Sequence, residues 1–158
     1  MARELLVLWV GRHRRDEWEA LCARYRERIN TFASISDRPV RTSRGGPDRV
    51  RLAAEGRNLL EVLPEPCWTI ALDRRGRARS SRQLASHLGR LRDEWPHSVA
   101  FLIGSDLGLS SEVLGAAREQ LSLGALTLPH ELARLVLYEQ IYRALSILGG
   151  IKYHREPL

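Results

Sequence analysis

Lysine is almost missing from this chain: arginine supplies 24 of its 25 basic residues, and Lys152 is the exception. Arginine's planar fork suits phosphate oxygens, but a genome rich in G and C produces the same bias, so position along the chain says more than identity. Cysteine is also scarce. Cys22 and Cys67 form no CxxC pair, which excludes a disulfide framework or a zinc ribbon and leaves two small buried hydrophobes. No apolar run approaches the roughly 20 residues that span a bilayer. Met1-Ala2-Arg3-Glu4 leads into a strand-like segment without a signal-peptide pattern, so a cytoplasmic protein is expected. There is no GxGxxG after the first strand, no GxxxxGK[ST], no GxSxG and no HExxH, which removes the common dinucleotide, nucleoside-triphosphate, serine-hydrolase and metalloprotease signatures. The five histidines, His13, His87, His97, His130 and His154, are scattered, and no metal site is expected.

What is present is a 158-residue chain, 44% hydrophobic and 28% charged, with a formal charge of +6. That length suits one domain, 1–158. The charge is unevenly placed: residues 1–95 carry 20 basic against 13 acidic residues, and residues 96–158 carry 5 against 6. A polyanion-facing surface in the first part and a solvated basic face both fit that asymmetry. Arg12, Arg14, Arg15, Arg24, Arg41 and Arg44 are the candidates for phosphate contacts, which would make binding fall steeply with salt.

Hydrophobic patterning divides the chain into alternating elements. Strands are expected at Glu4 to Val10, weakly at Pro39 to Thr42, and at Cys67 to Leu72, Val99 to Ile103 and Leu123 to Leu128. Helices are expected from Asp16 to Asn30, Pro47 to Val62, Ser80 or Ser81 to Trp95, Ser110 to Gln120 and Glu131 to Leu148. In the first helix Trp18, Leu21, Cys22, Tyr25 and Ile29 make the apolar face. The alternation predicts an α/β sandwich with a mostly parallel sheet. Ligands collect at the carboxyl ends of such strands, so the turns after Leu72, Ile103 and Leu126 are the places to search. The last helix is apolar beyond one face, which suits either ordinary core packing or burial against a second subunit.

Three segments stand out. Gly104-Ser105-Asp106-Leu107-Gly108 has glycines that admit close backbone approach; Leu123 to His130 reads LGALTLPH and offers an apolar wall without charge; the tail holds Tyr153-His154-Arg155. With Leu72-Asp73, Gly76, and Glu139 to Ala144 (EQIYRA), their order and spacing resemble the ribosomal large-subunit methyltransferase H family, of the SPOUT class, over essentially the whole chain.

The resemblance implies a deep trefoil knot near the C-terminus, a rare exception to unknotted topology, and a homodimer that uses S-adenosylmethionine to methylate N3 of a pseudouridine in helix 69 of 23S rRNA. Carried onto this chain, the cofactor would lie against Leu72, Gly104 and Leu123-Gly124-Ala125-Leu126-Thr127-Leu128, with His130, Arg134 and Arg143 nearby on the substrate side. Tyr153, His154 and Arg155 would form the catalytic tail, acting across the dimer, with His154 a candidate base. The chain departs from the family's IGGxxG pattern at Ser105, Asp106 and Leu107, and has Lys152 where the family has proline. A non-catalytic RNA-binding dimer and a methyltransferase for another RNA nucleotide remain the alternatives.

Overall fold

The computed structural model describes residues 4–155. Five strands, β1 (Glu4–Val10), β2 (Ser34–Val40), β3 (Cys67–Ala78), β4 (Ser98–Ile103) and β5 (Glu119–Ser122), form one sheet. Their order is β2-β1-β4-β3-β5, and every pairing is parallel. The helices are α1 (Glu17–Ile29), α2 (Asp48–Glu61), α3 (Ser81–Glu94), α4 (Ser111–Ala116) and α5 (His130–Leu148).

Side chains alternate across the sheet because successive residues of a strand face opposite ways. Val7, Trp9, Ile70, Val99, Phe101 and Ile103 join the cores of α1, α3 and α5 on one face. Leu6, Leu8, Val10, Ala71, Ala100 and Leu102 join Leu59 of α2 and Val113 of α4 on the other. Phe101 and Leu102 are fully buried, each worth about 1.5–3 kcal/mol by area removed from water. The starts of α1, α3 and α4 are capped by polar side chains. Asp16 accepts the Glu19 amide at 3.0 Å, and Ser80 makes a reciprocal capping box with Gln83.

Both edge strands lie away from their expected places. β2 begins at Ser34, before the Pro39 to Thr42 segment, and pairs with β1 along its length. The expected strand at Leu123 to Leu128 is instead a loop, and the helix expected to reach Gln120 stops at Ala116, with β5 following it. Gly124 sets the end of β5: it adopts φ +131°, and the Ser122 hydroxyl both accepts its amide and donates to its carbonyl at 3.1 Å. β3 continues past Leu72 to Ala78 through a bulge between Leu72 and Arg77. Because the strands are parallel, the loops after β1, β3, β4 and β5 gather at one end of the sheet, where α5 begins.

Candidate functional site, two adjoining clefts

At that end lies a cleft of about 350 Å³, lined by Leu72 to Arg75, Ile103 to Leu109, Leu121, Leu123, Gly124, Leu126 to Leu128, His130 and Ala133. Its back is the turn after β4. The Gly108 amide donates to the Ser105 carbonyl at 2.9 Å, and a Cβ on Gly104 would meet the Gly108 carbonyl oxygen at 2.1 Å. Gly104 is thus required by the turn's own closure. Ser105, the departure from the family's second glycine, donates its hydroxyl to buried Glu55 of α2 at 2.7 Å. The other Glu55 oxygen accepts the Ser43 amide at 3.3 Å.

The residues present fit S-adenosylmethionine. The volume falls within the roughly 300–1,000 Å³ of small-molecule sites, leucines form much of the wall beside the charged Asp73, Arg74, Arg75 and Asp106, and the backbones of the 104–108 and 123–128 loops supply donors and acceptors. Leu72, Gly104, Leu123, Gly124, Leu126, Thr127 and Leu128 all line the cleft; Ala125, the remaining cofactor candidate, does not. Leu126 is 79% exposed at its rim. Arg74 donates to the Thr127 hydroxyl at 3.2 Å and holds the 123–129 loop against β3. The Arg75 guanidinium, hydrogen-bonded to Asp73, keeps that carboxyl below the usual aspartate range.

A second cleft, about 190 Å³, shares Ser105, Asp106 and His130 with the first. Arg12, Arg14 and Arg44 line it, with Trp9, Trp18, Asp16, Glu19, Glu131 and Arg134. Arg15, Arg24 and Arg41 are exposed outside it. Arg134 is placed differently from the substrate contact expected of it. Its guanidinium, 6% exposed, donates to Asp37 at 2.7 and 3.0 Å and to Glu19 at 2.9 Å, and stacks 4.2 Å from the Trp9 ring centroid. Burial works against its charge, but Asp37 and Glu19 more than compensate and raise its pKa. Tyr138 and the Trp9 indole also donate to Asp37.

Comparison with known proteins settles what kind of chain carries these clefts. The family described as "Predicted SPOUT methyltransferase" matches residues 4–154. The chain belongs to the SPOUT methyltransferase family. It is 37% identical over 155 residues to the Ribosomal RNA large subunit methyltransferase H of Nitratidesulfovibrio vulgaris (strain DP4), covering 98% of this chain and 99% of that one. To the protein of the same name from Methylocella silvestris it is 38% identical over 158 residues, covering 96% and 99%. Among solved structures, the "Probable Methyltransferase" of Bordetella pertussis Tohama I shares the fold at a TM-score of 0.54 and 18% identity, over 91% of this chain and 96% of that chain.

In this SPOUT chain Tyr153, His154 and Arg155 stand apart from both clefts. The Tyr153 hydroxyl donates to Glu139 at 3.2 Å, and its ring meets Tyr142 edge-on at 4.6 Å between centroids. Arg143, expected on the substrate side, donates to Glu139 at 2.9 Å and lies 5.0 Å from the Tyr153 ring centroid. Burial, a hydrogen bond with Tyr25 and the charge of Glu139 push the Tyr153 hydroxyl up to about 12. From His130, at the clefts, to Arg143 is about 20 Å along α5 at 1.5 Å per residue. None of Arg143, Tyr153, His154 and Arg155 lines either cleft.

Among the cleft residues not expected as site candidates are Asp106 and Trp18. Asp106 is exposed on the wall common to the two clefts, and Trp18, expected in the apolar face of α1, lies outside both core clusters. The signal for Trp18 was available: it follows the run Arg12-His13-Arg14-Arg15 at short range, the interleaving of basic and aromatic residues that suits nucleic acid.

Proposed function

We propose that this chain is an S-adenosylmethionine-dependent methyltransferase of large-subunit ribosomal RNA, acting in the cytoplasm as a homodimer on N3 of a pseudouridine in helix 69 of 23S rRNA. The observation that carries the reading is the pair of adjoining clefts, one leucine-walled and one arginine-lined, meeting at Ser105, Asp106 and His130. The names of the two relatives supply the ribosomal substrate; the pseudouridine, its position and the knot come from the resemblance in the motifs. S-adenosylmethionine, when bound, supplies a methyl group on a sulfonium, open to in-line displacement. This chain's part is then to orient donor and acceptor, exclude water and take up or stabilise the acceptor's proton and charge.

The tail residues His154, Tyr153 and Arg155 are assigned to the cleft of the opposite protomer. In its own chain Tyr153 is packed against the far part of α5. The half-buried Leu132 and Val136 on α5, outside both core clusters, and the exposed Leu126 beside the cleft supply apolar surface for a dimer contact. His154 serves there as the base for the imide proton, with Arg155 as a cationic stabiliser. The test is nucleoside mass spectrometry of 23S rRNA from cells lacking the gene, with restoration by the purified protein and S-adenosylmethionine. Loss and recovery of one methylated pseudouridine is the expected result. An unchanged nucleoside profile, or the absence of saturable S-adenosylmethionine binding in calorimetry, overturns the reading.

A further inference from the structure

Trp18 differs from the other three tryptophans. Trp9 donates its indole N–H to Asp37, Trp68 to Glu119 and Trp95 to the Ser98 carbonyl, each within 3.0 Å. Trp68 and Trp95 also pack edge-on and hold Arg118 against their faces. Trp18 is half-buried, yet among the described residues it has no such hydrogen bond, ring or cation partner and belongs to neither core cluster. A large aromatic side chain withheld from core and solvent alike, on the lining of a cleft, is a free stacking face.

The charges around it are selective. Arg12, Arg14 and Arg44 are exposed, and among the described residues no carboxylate lies within ion-pair distance of any of them. The carboxylates of the same cleft are mostly engaged: Asp16 caps α1, Glu19 binds Arg26 and Arg134, and Glu131 faces His130 at 3.3 Å. Asp106 is the exception, and it stands on the wall shared with the larger cleft. At about 190 Å³ against 350 Å³, the cleft suits a smaller occupant than the cofactor cleft does.

We propose that the second cleft receives the acceptor as a single nucleobase turned out of its stack and laid against the Trp18 indole, with the flanking phosphates on Arg12, Arg14 and Arg44. This rests on the methyltransferase reading above and adds where the acceptor goes. An enzyme that modifies a base atom must take the base out of the stack, and an aromatic platform recovers part of the lost stacking. The shared wall then brings the acceptor's imide edge toward Asp106 and His130 and toward the neighbouring cleft.

The test uses the full-length protein and an RNA stem-loop bearing the acceptor, compared with the same RNA carrying an abasic site there. For the unaltered protein, removing the base should weaken binding by about tenfold or more, the usual worth of a base–aromatic stack. Trp18→Leu should lose a similar factor on the intact RNA and show no further loss on the abasic RNA. Trp18→Phe should retain most of the affinity, which also guards against a folding defect in the leucine variant. S-adenosylmethionine affinity, measured separately by calorimetry, should be unchanged in both variants. If Trp18→Leu still discriminates intact from abasic RNA as the unaltered protein does, the pocket assignment is overturned. The base-dependent loss is read without cofactor. A protein that showed it but bound no S-adenosylmethionine would support the pocket while overturning the methyltransferase reading.

Discussion

Replacing Arg134 with methionine isolates the difference between a structural guanidinium and one that grips substrate. The Asp37 side chain is 3% exposed and accepts from Arg134 Nε and Nη2 at 3.0 and 2.7 Å, from Trp9 at 2.8 Å and from the Tyr138 hydroxyl. Methionine fills most of the arginine's volume but removes two bonds to Asp37 and one to Glu19, leaving a buried carboxylate short of its principal cation. Arg26, 3.7 Å from Asp37, replaces only part of that charge. Breaking a buried pair from one side costs about 3–5 kcal/mol, a large share of the roughly 5–15 kcal/mol typical of a domain. Urea unfolding, followed at several protein concentrations so that any dimer contribution is separated, should show a lower midpoint with an unchanged slope. Adding Asp37→Asn removes the stranded charge, so the double variant should lose at least about 1 kcal/mol less than the two single losses combined. A loss below about 1 kcal/mol for Arg134→Met, together with weakened RNA binding, would refute the structural role and return Arg134 to the substrate side.

Three further outcomes follow from the geometry. Burial raises the Glu19 pKa, but hydrogen bonds from Arg26 and Arg134 and their charges outweigh it and hold the carboxyl at about 2, against 4.5 unperturbed. Its contribution to stability is therefore complete above about pH 5 and lost as pH falls from 4.5 toward 2; acid titration of stability should show this loss, and Glu19→Gln should flatten it. Burial pushes the Cys22 and Cys67 thiols up to about 11. In the folded protein at pH 8 both should react with a disulfide reagent far more slowly than in urea, and rapid native labelling would contradict that environment. Gly104→Ala places a methyl group where the Gly108 carbonyl now sits. Calorimetry should record at least a tenfold loss of S-adenosylmethionine affinity, and unchanged affinity would show that the turn yields without cost to the cleft.

The internal strands β1 and β4 and the first half of β3 were legible because both their faces are buried and their sequences are short apolar runs. The edge strands were harder, for a physical reason. β2, Ser-Ile-Ser-Asp-Arg-Pro-Val, spends Asp37 on the Arg134 network, and β5, Glu-Gln-Leu-Ser, is paired on one side only. Neither needs the continuous apolar run that marks a strand. The same contrast holds in the clefts. Leu72, Gly104 and the 123–128 loop are local segments at strand ends, visible as motifs. Arg134 meets Glu19 and Asp37 across 115 and 97 residues, and no spacing rule reveals that its charge is already committed. Trp18 fell on the helical repeat of α1 and was counted with the core; only the packing shows that the core closes without it.

The strand order also has a consequence in time. β1 pairs with β2 on one side and with β4 on the other, so the ribosome finishes the first neighbour at Val40 and the second only at Ile103. At about 5–20 residues per second, Leu5 to Trp9 wait roughly 3–13 s with one row of backbone groups unpaired. Until β4 emerges, this hydrophobic strand is an edge open to any other extended chain nearby. Crowded or slowed synthesis should therefore lose the protein to aggregates during elongation, through a strand that the finished molecule encloses completely.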